Sequence, residues 1–140
     1  MISFNRMYFM ETYSNINKFF EQKLTTLNCN DITKSYIISI LTKYKTALND
    51  LSNQSLTLIY TSAKYNQNFE QFQNLADWIF YVKSLFPEYL SDVSEDYYIS
   101  LGQLSYYSCY KLLKKQWLVY EQMSDNFVQL SDNVRVIIRG

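Results

Sequence analysis

The side chains that ordinarily do chemistry at neutral pH are sparse in this chain. Histidine is absent, which removes the commonest general base and metal ligand of that range. Ser–His–Asp and Cys–His arrangements are therefore impossible. Two cysteines, Cys29 and Cys109, stand far apart with no CxxC, too few for a zinc site and best read as free buried thiols. No Gly-rich phosphate-cradling run occurs.

Carboxylates remain. Asp77 falls about 60° outside the apolar arc of the helix that carries it, at the boundary between core and water. There it can pair with a lysine, cap a neighbouring helix, or form an acid–base pair with Glu88 or Asp96. The structural roles are favoured. If Asp77 serves a ligand, Tyr98 and Tyr106 are the polar groups expected beside it, in a pocket between the fourth and fifth helices. Glu88, Glu95 and Asp96 are one conceivable all-carboxylate Mg²⁺ set. A carboxylate-bridged metal in a helical bundle usually needs Glu-x-x-His, which cannot occur here. No metal and no cofactor is expected.

Tyrosine is the most unusual component, with 14 copies. Tyr97, Tyr98, Tyr106, Tyr107 and Tyr110 point around most of one helix, so some must reach the surface or an interface. Core lining is the favoured reading, and a binding face is the alternative. On the same helix Gly102, Ser105 and Cys109 are spaced by three and four. Without bulk they let another helix approach closely, which would offset the roughly 0.5–1 kcal/mol that a mid-helix glycine costs relative to alanine.

These residues must be held by helices. One proline and two glycines are too few for an all-β chain or for Gly-rich α/β connections. Apolar residues recur at helical spacing in about six segments, near 6–27, 31–50, 55–65, 68–86, 94–114 and 115–137. Phe9, Tyr13, Ile16, Phe20, Leu24 and Leu27 make the first stripe. Ile37, Leu41, Tyr44, Leu48 and Leu51 make the second, behind a cap at Asn30 or Asp31. The stretch 49–55 is the most loop-like. Leu56, Ile59, Tyr60 and Ala63 face inward on the third. Phe69, Phe72, Leu75, Ala76, Ile79 and Phe80 share an arc of about 140° on the fourth. Lys83 interrupts that arc, so either it snorkels or the buried face shifts. Pro87 ends the helix. Ser94 caps the fifth, with Glu95 and Asp96 favourable to its dipole, and the lysines near its end suit the opposite pole.

The sixth segment carries Tyr120, Met123, Phe127, Leu130, Val134 and Ile137, alternating by three and four as in a coiled-coil seam. The first five are the expected interface residues. The ending Val134 to Ile138 can be helical or extended. With no tandem repeat and no second core, the expectation is an all-α, single-domain bundle over residues 1–140.

Composition narrows the partners. Hydrophobic residues make up 48% and aromatics 18%, too many for a disordered chain. Thirteen basic and thirteen acidic side chains cancel, so no global field draws in nucleic acid or an anionic membrane. Lys111, Lys114 and Lys115 form a small basic cluster, read as a solvated helix end. No apolar run approaches membrane-spanning length and no secretory leader is evident, so the cytoplasm is the expected location.

From Tyr36 onward the chain resembles a family of uncharacterised, largely proteobacterial helical proteins. The matching pieces are Tyr36 to Leu41, Leu75 to Tyr81, Phe86 to Leu90, Tyr97 to Tyr106 and Tyr120 to Phe127. The family's usual form has Leu-Gly-Asp where this chain has Leu75-Ala76-Asp77, and often carries arginines near Ser91-Asp92, where this chain has none. The resemblance implies an all-helical fold and no known activity.

Three functions follow as expectations. The first is a non-catalytic interaction protein, self-associating or bound to a protein partner. The second is an enzyme or small-ligand protein using Asp77, Tyr98 and Tyr106. The third, a nucleic-acid binder, is opposed by zero net charge and only three arginines.

Overall fold

The computed structural model describes residues 4–46, 51, 54–90 and 94–140, with side chains from Met10 onward. Seven α-helices form among them: α1 (Phe4–Lys23), α2 (Asp31–Thr46), α3 (Leu56–Asn66), α4 (Phe69–Leu85), α5 (Glu95–Leu112), α6 (Leu118–Asp125) and α7 (Phe127–Arg139). Short 3-10 turns follow α1 and α4, and no strand occurs among the described residues. None of these helices is long and apolar enough to cross a membrane. The Phe9 side chain, Leu48, most of the 49–55 loop and Ser91-Asp92 lie outside the described residues.

Side-chain caps set several helix starts. Asn30 Oδ1 accepts from the Thr33 amide at 2.8 Å, and Ser55 Oγ from Leu58 at 3.3 Å. Asn68 Oδ1 accepts from Gln71 at 3.0 Å. Each satisfies an amide that the first helical turn leaves unpaired. Ser94 holds the cap position of α5, but its hydroxyl makes no cap bond. The acidic pair Glu95 and Asp96 supplies the favourable first turn instead.

Two chain reversals use left-handed residues that are not glycine. Gln67 (φ 51°) ends α3, and the Asn68 amide reaches back to Ala63 at 3.0 Å. Asn68 then caps α4, so one residue closes a helix and opens the next. At the end of α5, Lys114 (φ 56°) donates to Lys111 and Lys115 (φ 59°) donates to Tyr110, both at 2.9 Å. This is the paired pattern that turns a chain out of a helix. The two lysines thus form a turn and do not extend either helix.

α4 is the axis of the fold. Every residue from Leu75 to Leu85 is buried, and α2, α3, α5 and α7 all pack against it. The amphipathic arc expected over Phe69–Phe80 widens to the full circumference, because Trp78, Tyr81, Val82 and Leu85 cover its other side. Lys83 does not snorkel to water. Only 2% exposed, it places Nζ 2.7 Å from Asp132 Oδ1 on α7.

The long last helix is broken in two. Asn126 leaves helical geometry (φ −110°, ψ 22°), and its side-chain amide donates to Gln122 Oε1 at 3.1 Å. The expected interface stripe changes role. Tyr120, Met123, Phe127, Leu130 and Val134 are all buried among this chain's own helices. The regular seam is therefore core packing, and any interface must lie elsewhere. The last residues are helical, not extended, through Arg139, which donates to the Leu85 carbonyl at 2.8 Å and pairs with Glu88 at 3.3 Å.

Candidate functional site

Asp77 does not sit at the surface boundary. It is 5% exposed, enclosed where α2, α4, α5 and α6 meet. Its Oδ1 accepts two hydrogen bonds, from Tyr36 Oη of α2 at 2.6 Å and Tyr106 Oη of α5 at 2.7 Å. It pairs with no lysine and caps no helix. Tyr120 of α6 completes the enclosure, with its ring 5.5 Å from Tyr36 and 6.4 Å from Tyr106. Its hydroxyl accepts from Gln73 Nε2 at 2.8 Å, one helical turn before Asp77.

Helix geometry explains the convergence. Gln73 and Asp77 are four apart and share one face of α4. Tyr36 and Ile40 share the facing stripe of α2. Tyr106 is fully buried on α5, and its neighbour Gly102 admits the Phe127 ring beside Ile79.

Electrostatics follow from enclosure. Burial raises the Asp77 carboxyl from its ordinary 3.8 to about 6, while the Tyr36 and Tyr106 hydroxyls and the Lys43 charge hold it down. Lys43 reaches this end of α4 by donating to Asn74 Oδ1 at 3.3 Å. Burial first, and the Asp77 charge second, push Tyr36 and Tyr106 well above the ordinary phenol value. Burial also raises Tyr120 to about 12. Near neutrality Asp77 is thus largely an acceptor and the phenols are donors. A carboxyl of this pKa suits general acid–base work, but its nearest polar partners are the chain's own phenols.

The expected site residues separate. Asp77 and Tyr106 meet. Tyr98 does not join them: it lies two turns earlier on α5, about 12 Å along the axis, with its ring against Tyr97. Glu88 is engaged by Arg139. Among the described residues no three Asp, Glu or Cys side chains stand close enough to hold a metal ion. Ser105 is buried, and its hydroxyl has no hydrogen-bond partner among the described residues. Cys109 lies 3.9 Å from the Phe69 carbonyl, its thiol pushed up by burial and then by Asp77. Gly102, Ser105 and Cys109 are all buried on α5.

Sequence reasoning missed Tyr36 and Gln73. The available signal was spacing: Tyr36 precedes Ile40 and Tyr44 by four and eight, and Gln73 precedes Asp77 by four. On the outer side of α5, Ser100, Gln103, Leu104 and Tyr107 line a shallow groove of about 300 Å³ together with Ser124 of α6.

No protein-family model, curated protein or solved structure matches the chain.

Proposed function

We propose that this chain is a non-catalytic helical interaction protein that self-associates through the outer face of α5. The observation that carries the reading is a contrast. The Tyr36, Tyr106 and Tyr120 hydroxyls around Asp77 are engaged inside the fold, whereas Leu104 and Tyr107 stand exposed at the rim of the α5 groove. Tyrosine and leucine bury large areas when such faces meet. Zero net charge supports a protein partner over a nucleic acid. Two free cysteines fit a reducing, cytoplasmic setting. The resemblance from Tyr36 onward to a family of helical proteins belongs to the same reading and adds no activity.

Sedimentation at micromolar concentration tests the proposal. The expected result is a concentration-dependent shift toward a dimer, abolished in Leu104→Lys/Tyr107→Lys. A wild-type monomer at every concentration would remove self-association.

A second reading, a small-ligand site at Asp77, is favoured by one observation. Among the described residues no hydrogen bond falls on Asp77 Oδ2. A thermal-shift screen of small amines and polyols against wild type and Asp77→Asn tests it. Stabilisation of the wild type alone would support this reading, and none in either protein would remove it.

A further inference from the structure

We infer that the turn joining α5 to α6 is a docking tip for an anionic bilayer surface. Lys111 lies in the last turn of α5, Lys114 and Lys115 form the turn, and Trp117 and Leu118 open α6. All five side chains are exposed, Trp117 by 59% and Leu118 by 61%. Two large apolar side chains therefore stand in water at this turn, directly after the exposed Lys114 and Lys115, while the Lys111 ammonium lies 5.2 Å from the centre of the Tyr107 ring. Indole rings favour the headgroup level of a bilayer. Lysines lay their stems along apolar surface and keep their charge at the polar boundary.

The sequence that forms the turn is basic although the whole chain is neutral. No acidic residue stands between Asp96 and Glu121 in the sequence. Glu121 is half-buried beside the Tyr110 hydroxyl, and the exposed Asp125 acts on the same hydroxyl from one turn further along. Charges farther than about 8–10 Å are largely screened at physiological salt, so the charge that a bilayer meets is the local one. The backbone points the same way. Lys114 and Lys115 both hold left-handed conformations, where glycine or asparagine costs less. Lysine at these positions keeps two charges beside Trp117 at a conformational cost.

A bilayer fits the tip better than an acidic protein does. A stable protein interface needs about 800 Å² from each partner, with a complementary shape. Two apolar side chains on a narrow turn offer much less, whereas lipid supplies no fixed shape to match. Insertion of Trp117 and Leu118 combined with headgroup attraction to the lysines joins an apolar signal to a basic one, and the two together bind a membrane more strongly than either alone. The inference goes beyond self-association through the α5 groove and does not depend on it. It concerns the bilayer surface alone, since none of the described helices is long and apolar enough to cross a membrane.

The test uses the full chain with vesicles of pure phosphatidylcholine, or with about a third phosphatidylserine. Binding is read by co-sedimentation, by indole emission and by acrylamide quenching. Trp78 is buried, so a change in quenching reports Trp117. The expected result is binding to anionic vesicles only, with a blue shift and protection of Trp117. Lys114→Gln/Lys115→Gln should weaken it about thirtyfold, at about one fivefold factor per lysine. Trp117→Ser/Leu118→Ser should abolish the blue shift.

Equal binding to neutral and anionic vesicles overturns the proposal, as does no binding to either. Undiminished binding in either double variant does the same. Binding to soluble polyglutamate as tightly as to vesicles, without a blue shift, would assign the tip to an acidic protein instead. Should a variant fail to fold by circular dichroism, wild-type quenching decides. Protection by anionic vesicles supports the tip, and unchanged quenching overturns it.

Discussion

The ring of Phe127 fills the space that a side chain on Gly102 would occupy. A Cβ at Gly102 would stand 2.7 Å from Phe127 Cζ and 2.8 Å from Cε2. Phe127 is fully buried, with its ring 5.5 Å from that of Phe80, so it has little room to yield. Gly102→Ala should therefore destabilise the fold. Overpacking costs about 1–3 kcal/mol, and the better helix former returns roughly 0.5–1 kcal/mol. Urea unfolding should show a net loss, relieved in Gly102→Ala/Phe127→Leu. A more stable Gly102→Ala protein would show that the ring moves freely.

Both phenols bind the same carboxylate oxygen, so their contributions should not add. Tyr36→Phe and Tyr106→Phe each remove a hydrogen bond to a buried charge, worth about 1.5–3 kcal/mol. The double variant should lose less than the sum, because Asp77 then shifts toward its neutral form. A double-mutant cycle in urea gives the coupling directly. Strict additivity would mean that the two hydroxyls act independently.

Asp77 makes the fold less stable as acidity falls. Its folded pKa, about 6, lies above the ordinary 3.8. Between these values the native state binds more protons than the unfolded chain, so unfolding free energy decreases with rising pH. The loss is on the order of 2–3 kcal/mol, complete by about pH 7. Tyr36, Tyr106 and Tyr120 are pushed upward and do not titrate in this window. Asp77→Asn should lack this component. The difference between wild-type and Asp77→Asn stability, measured from pH 4 to 7, should carry the slope, and a flat difference would contradict it.

The ion pair between α4 and α7 should respond asymmetrically. Lys83 is 2% exposed, whereas Asp132 is 42% exposed and also lies 3.5 Å from Arg135. Asp132→Asn leaves a buried ammonium without its acid and should cost about 3 kcal/mol or more. Lys83→Met keeps the volume and lets Asp132 turn to water and Arg135, so its cost should stay below about 1.5 kcal/mol. Thermal melts of the two variants give the order, and a larger loss for Lys83→Met would reverse the assignment.

Lys114→Gly should raise the melting temperature. A residue with a Cβ costs roughly 1–2 kcal/mol in the left-handed region, and glycine gives back part of that through its greater unfolded entropy. A gain of about 0.5–1 kcal/mol is expected. The same variant should bind anionic vesicles more weakly, which separates the backbone's preference from the side chain's role.

The helices were legible because each one reports its own buried face through spacing alone. Phe20, Leu24 and Leu27, or Leu56 and Ala63, needed no partner to be identified, and the cap at Asn30 is a local hydrogen bond. Asp77 drew notice as a carboxylate on an apolar helix. Its neighbours did not, because Tyr36 lies 41 residues away and Tyr106 lies 29 away. Tyr98 looked equivalent to Tyr106 only because both stand on the same helix as phenols.

What the linear order of residues determined was helical type, most helix starts and the side chains that must leave water. Assembly decided the rest. A helical wheel describes one axis and cannot count the helices around it. Thus α4 proved enclosed on every side from Leu75 onward, the Tyr120–Val134 stripe turned inward, and Asp77 lost water to two phenols. Those outcomes depend on packing between segments far apart in the chain, where no local spacing records which face meets which.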